Sequence, residues 1–247
     1  MKFAVYVEGK AEMLFVADVL SKYSNYDSQV VGFQCINLNA DDFEYVQYPF
    51  QGDENSETYY QIVNVNNDNR VISKLKQDTP NLTKQGYEII IGLRDVFGAE
   101  YDTICNKQQV IDRELISEMY DIQSEQIRFE GVDTRLRFAI MEYEAWMMAL
   151  LDKYIVSKGG TPQEVFEAAG VDYESDFENT VYHPYNKVQE IYRAMHATYG
   201  KHEGDYHSFL ASLTKDDYEA LRNSDRCASF KSFIDSLLPS AYSVRDR

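Results

Sequence analysis

The chain has 247 residues, with 41 acidic against 24 basic side chains and a formal net charge of −17. That surplus excludes a chain-wide basic surface, so a nucleic-acid role requires a local basic patch, bound divalent metal ions or a basic partner protein. Hydrophobic residues make up 44% with 12 glycines and 5 prolines, a globular rather than disordered composition.

The chain order predicts alternating strands and helices. "KFAVYVEG" is a buried strand. "KAEMLFVADVLSKY" places Ala11, Leu14, Phe15, Val19 and Leu20 near helical spacing. "QVVGFQCINLN" is a second strand, and residues 39–60 form an acidic, irregular insertion. "QIVNVNND" is short and extended, and "NRVISKLKQDT" is a helix that stops before Pro80. "YEIIIGLRDVFG" has three consecutive isoleucines, as in a central parallel strand buried on both faces. "VIDRELISEMYDI" is a helix, "EQIRFEGV" another strand, and Phe138 to Met141 a last strand. This alternation predicts an α/β fold with a mostly parallel sheet.

After Tyr143 the rhythm changes. Trp146, Met147, Leu150, Leu151 and Tyr154 fall at helical spacing. "TPQEVFEAAG" opens with a Thr cap and Pro in the first turn. "NKVQEIYRAMHATYG" is a helix stopped by its glycine, and "DYHSFLASL", "TKDDYEALR" and "CASFKSFIDSLL" are short amphipathic helices. The expected organisation is an α/β domain over 1–155 and a helical C-terminal region over 156–247.

Several chemistries lack their motif. Cys35, Cys105 and Cys227 are odd in number and form no CxxC pair, which disfavours a cysteine zinc site and fits a reducing compartment. HExxH, GxSxG and the P-loop signature are absent. His202 and His207 are five apart, an awkward separation for one helical face. No apolar run reaches the roughly 18 residues of a spanning helix, and the first apolar segment is too short for a secretion signal. The expectation is a cytoplasmic protein with no membrane role. The 20 tyrosines chiefly cover core edges.

Functional sites in open α/β sheets form at the carboxyl ends of the strands. Three strand ends deliver carboxylates here: Glu8, then Asp95 after Arg94, then Glu142 and Glu144. Such hard oxygen ligands suit Mg²⁺ or Mn²⁺. Each also has a plainer reading. Glu8 before a glycine turn is either a ligand or a solvated face, and Glu12 favours the helix dipole. Asp95 with Gly98 is a common strand exit. Glu142 and Glu144 share a face if extended and diverge if helical. Arg94, Arg128, Arg135 and Arg137 either pair with carboxylates or hold phosphate, with structural pairing favoured for at least half.

Four segments together carry a resemblance. "VEGKAE" (7–12) resembles the VEGxTE signature of Toprim-type domains, and "RDVFG" (94–98) resembles the Asp-aromatic-aromatic-Gly segment of a bacterial Toprim-related family of unknown function. "MEYEAWMMALLD" (141–152) stands where that family reads roughly His-Glu-Phe-Glu-Ala, and "CASFKSFIDSLL" is similar to its closing helix. The resemblance implies a Toprim-like sheet and Mg²⁺-dependent phosphodiester chemistry. Glu8 would be the general acid or base or a metal ligand, Asp95 a metal ligand and catalytic group, and Glu142 and Glu144 further ligands, with Glu12 and Arg94 auxiliary. The chain departs from the pattern at Ala11 for Thr, at Phe97, where Toprim domains carry an acid, and at Met141 for His. The expected function is a nuclease-like protein of a bacterial defence or mobile-element system, acting on nucleic acid or a small phosphate compound. The alternative is a non-catalytic binding module for a partner ATPase.

Overall fold

The computed structural model describes residues 1–39, 42–48, 52–67, 70–98, 101 and 110–239. Cys105 and parts of the 39–60 segment lie outside the described residues. The elements in chain order are β1 (Lys2–Val7), α1 (Lys10–Tyr23), β2 (Val31–Leu38), β3 (Phe43–Val46), β4 (Thr58–Asn64), α2 (Arg70–Lys84), β5 (Ile89–Asp95), α3 (Arg113–Gln126) and β6 (Asp133–Ala139). The helical C-terminal region follows: α4 (Glu144–Ala149), α5 (Asp152–Ser157), α6 (Pro162–Ala168), α7 (Phe177–Thr180), α8 (Pro184–Ala194), α9 (Glu203–Leu210), α10 (Lys215–Arg222) and α11 (Ala228–Leu237). The fold is α/β, with a six-stranded, mostly parallel sheet flanked by helices, the layout that the Toprim resemblance implies.

The sheet order is β3-β2-β4-β1-β5-β6. β1 pairs in parallel with β4 and β5, β2 pairs in parallel with β4, and β3 runs antiparallel to β2. At the β5–β6 boundary, Asp133 N–H donates to the Glu88 carbonyl and Val96 N–H to that of Ala139, so partner numbers rise together as in a parallel pair. The three isoleucines lie on β5, an interior strand with every residue from Ile90 to Arg94 buried. α1 packs on β1, β2 and β4 and is buried on all sides except at Lys10. Its internal charges pair with each other, Lys22 Nζ standing 2.6 Å from Asp18, which also accepts a 3.1 Å bond from the Tyr48 hydroxyl.

The sequence expectations differ from the structure at four places. The 39–60 segment is not irregular throughout: it contains the edge strand β3 and the start of β4, whose Tyr59 and Tyr60 are buried. α2 passes through Pro80 to Lys84, because Val71, Leu75, Thr79 and Leu82 bury one face. The Thr79 hydroxyl bonds the Leu75 carbonyl and the Thr83 hydroxyl that of Thr79 across the proline's turn. "EQIRFEGV" is not a strand. α3 ends at Gln126, and the strand is β6, which stops at Ala139 rather than Met141. α8 ends at Ala194, well before Gly200, and His196 takes the left-handed conformation at φ 58°.

The chain divides into two compact units. The first comprises Met1–Arg94, Arg113–Phe138 and Phe233–Arg247, and the second Asp95–Asp112 and Ala139–Ser232. Residue 155, where the sequence pattern changes, falls inside the second. In the first unit the end of α11 is held by Tyr60, whose hydroxyl donates to the Leu237 carbonyl at 2.9 Å, and by Arg135, which donates to the Ser236 carbonyl at 2.8 Å. Arg137 bonds the Ser236 hydroxyl and Tyr120, and Arg128 pairs with Glu125 on the surface. Among the described residues no helix is long and apolar enough to cross a membrane.

Gly92 on β5 sets how closely α2 approaches the sheet. A Cβ there would stand 2.6 Å from Leu75 Cδ1 and 3.1 Å from Val71 Cγ1, both fully buried. Gly92→Ala is therefore expected to lower unfolding free energy by roughly 1–3 kcal/mol through overpacking. Denaturant unfolding checks this, and Leu75→Ala should cost less in that background than alone.

Candidate functional site

The loop after β1 carries Glu8, and burial removes the solvated reading: Glu8 is 7% exposed. Parallel pairing of β1 with β5 matches Tyr6 to Gly92, which brings Glu8 abreast of Arg94 two residues further on. Arg94 Nε lies 3.6 Å from Glu8 Oε1, its Nη1 donates to Gln123 Oε1 at 2.9 Å, and its guanidinium stands 5.8 Å from the centre of the Phe138 ring. Glu12 is the third residue of α1 and is also buried. Its carboxylate folds back over the N-cap, so a Cβ at Gly9 would meet Glu12 Oε2 at 2.8 Å. The acidic charge in the first turn favours the helix dipole, while Glu12 Oε2 itself is buried and makes no hydrogen bond among the described residues.

A buried ion pair loses more when one partner is removed than when both are replaced. Arg94→Met alone is expected to destabilise the protein by about 3 kcal/mol or more, and Glu8→Leu added to it should restore part of that loss. Equal stability of Arg94→Met and wild type in urea would contradict the pairing.

In the second unit the segment after β5 is tied to the turn after β6. Val96 N–H donates to the Ala139 carbonyl at 3.0 Å, Phe97 N–H to that of Met141 at 2.6 Å, and Tyr143 N–H to Asp95 Oδ1 at 2.9 Å. Asp95 thus anchors the peptide lying between Glu142 and Glu144. Met141 adopts φ 62°, a left-handed conformation uncommon outside glycine. Phe97, at the position where an acid was expected, packs its ring edge-on to His183 and Tyr182, with centroids 4.8 and 5.8 Å apart.

Glu142 precedes α4 and Glu144 begins it, so the pair is neither extended nor within one helix. Their charges nevertheless interact. Glu142 Oε2 accepts from Tyr185 N–H, in the first turn of α8, at 2.8 Å. Glu144 is fully buried: its Oε1 takes the Lys201 ammonium at 2.7 Å and the Tyr199 hydroxyl at 3.3 Å. Glu144 Oε2 is buried and makes no hydrogen bond among the described residues. Burial, reinforced by the Glu144 charge, pushes the Glu142 carboxyl up to about 7, against the smaller opposing effects of the Tyr185 amide and Lys201. Burial and the same Glu144 charge also raise the Tyr199 phenol. The rings of Tyr185, Tyr192 and Tyr206 each come within about 6 Å of Tyr199, so tyrosines wall this site rather than only edging the core.

Glu142 and Glu144 are the residues of this unit that could hold a hard divalent cation. Glu144 offers a buried oxygen that makes no hydrogen bond among the described residues, and burial with the neighbouring Glu144 charge raises the Glu142 carboxyl. Among the described residues no group of three or more His, Cys, Asp or Glu side chains is placed to hold a metal. Two carboxylates are nevertheless a usual protein share for Mg²⁺, whose shell is completed by water and phosphate oxygens.

The predicted residues therefore fall in two local groups: Glu8, Glu12 and Arg94 in the first unit, and Asp95, Glu142 and Glu144 in the second. Sequence reasoning missed Gln123, Tyr185, Tyr199 and Lys201, which no motif or spacing links to the acids they serve. It also missed Glu178, fully buried and bonded by Trp146 Nε1 at 3.0 Å and by the Ser229 hydroxyl. A cleft of about 490 Å³ in the second unit is lined by Asp172, Tyr182, His183, Asn186, Lys187 and Glu190. It does not include the carboxylate pair, and the chemistry described above belongs to the pair. No protein-family model, curated protein or solved structure matches the chain.

The Glu142 carboxyl makes a signed prediction. Between pH 4.5 and about 7 the folded protein retains a proton that the unfolded chain has released. This group's contribution to stability therefore falls as pH rises through that window, by about 3 kcal/mol at most. Melting temperatures measured across the window should decline less steeply in Glu142→Gln than in wild type. Parallel curves would remove the assignment.

Proposed function

We propose that this chain cleaves phosphodiester bonds with Mg²⁺ or Mn²⁺, as a nuclease-like protein of a bacterial defence or mobile-element system. The observation that carries the reading is the Glu142–Glu144 pair, short of positive charge, in which the fully buried Glu144 already holds one cation, the Lys201 ammonium. The four ordered motifs of the sequence add the substrate class by resemblance.

Glu142 and Glu144 would hold the ion. When bound, it supplies a Lewis acid that neutralises phosphate charge and makes water more acidic. Asp95 is a positioning residue, because its carboxylate fixes the Tyr143 amide and so the spacing of the two glutamates. The N-terminal turn of α8 orients Glu142 through Tyr185 N–H. In the first unit Glu8 is held by Arg94, which Gln123 holds in turn, and its role as general acid or base rests on the resemblance alone. A bound divalent ion also answers the −17 charge, because it reverses the local field that would repel a nucleic-acid backbone.

Purified protein incubated with DNA and RNA is expected to cleave one of them with Mg²⁺ or Mn²⁺ and not with chelator. Glu144→Gln and Glu8→Gln should each lower the rate by about 100-fold or more. Asp95→Asn keeps an acceptor for the Tyr143 amide and should lose much less than Asp95→Ala. Wild-type rates in Glu144→Gln would overturn the proposal. No cleavage by wild type with either metal would leave the binding-module alternative.

A further inference from the structure

Lys201 reaches Glu144 from the loop joining α8 to α9. Its side chain is 42% exposed along its length, yet its ammonium ends 2.7 Å from a carboxylate that is fully buried. The ammonium also lies over the Tyr185 ring, 4.7 Å from its centroid, and Tyr199 shares the same carboxylate oxygen. The lysine backbone is left-handed, at φ 58°, and such strained residues concentrate at ligand clamps and switches. One ammonium brings a single positive charge to two carboxylates.

We infer that the Glu144 site is a cation-exchange site: the Lys201 ammonium fills it in the metal-free protein, and a divalent ion must expel that ammonium to bind. The inference rests on the metal reading proposed above. A divalent ion matches the charge of both glutamates and can use Glu144 Oε2, which makes no hydrogen bond among the described residues. The ammonium satisfies only Oε1. The arm belongs to an exposed loop residue, so its route out of the site leads to solvent. Two cations on one buried carboxylate would repel at close range in a medium that screens them weakly. Exchange rather than joint occupancy follows.

The test follows the lysine itself. Lysines are reductively methylated with ¹³C, which preserves their charge, and the Lys201 signal is identified by its loss in Lys201→Arg. In metal-free protein it should be displaced by the Tyr185 ring current. Titration with Mg²⁺ should move it to the position of solvent-exposed lysines, at a midpoint equal to that of Mg²⁺ binding measured by calorimetry on the same sample. Unmodified Lys201→Gln should bind Mn²⁺ about tenfold or more tighter than wild type, because no occupant has to leave. Metal binding through Glu144 with an unmoved Lys201 signal, or equal Mn²⁺ affinity in wild type and Lys201→Gln, would overturn the exchange while leaving the metal reading intact. Failure of wild type and Lys201→Gln alike to bind Mg²⁺ or Mn²⁺ would overturn both.

Discussion

A carboxylate taken out of water must be met by positive charge or by donors, or it costs several kcal/mol. In a chain with so large an acidic surplus, this constraint organises the interior. Asp18 is met by Lys22 and Tyr48, Glu8 by Arg94, and Glu178 by Trp146 and Ser229. In these three cases the partners stand on packed elements and the arrangement is part of the framework. Glu144 is met differently. Its cation comes on a long arm from an exposed loop, and a second carboxylate presses on it. The contrast separates buried acids met from within the fold from one met by an exposed side chain.

Much of the fold was legible because burial writes a period into the sequence. The apolar run of β1, the isoleucines of β5 and the whole of α1 follow from alternation or helical spacing. Elsewhere local composition pointed away from tertiary context. The acidic residues between positions 52 and 57 concealed the strand that starts at Thr58, whose tyrosines are buried in the sheet interior. Pro80 argued for a stop, but the buried face continuing to Leu82 outweighed one missing amide. Gly200 looked like a helix terminator, yet the left-handed residue after α8 is a histidine.

The candidate site was legible only in its acids. Glu8, Asp95, Glu142 and Glu144 stand out because the carboxyl ends of parallel strands are where such groups gather. Their partners could not be read. Gln123 faces Arg94 from a helix 29 residues on, and Tyr199 and Lys201 reach Glu144 across more than 50 residues. Nothing in local spacing encodes such pairings, because they are made by the path of the chain. Asp95 shows a subtler gap. Its residue type suggested a ligand, and no spacing signalled that its Oδ1 also holds the Tyr143 amide.

Met141 bears on how the resembled motif is to be understood. That motif carries a histidine at this position, and a histidine beside acids invites a chemical role. Here the position is a left-handed turn, closed by the Phe97 amide on its carbonyl. Histidine, asparagine and aspartate tolerate that backbone better than most residues, while β-branched side chains do not. Residue choice at this point is then a matter of handedness before reactivity. A valine, similar to methionine in polarity, would strain this turn where a histidine would not.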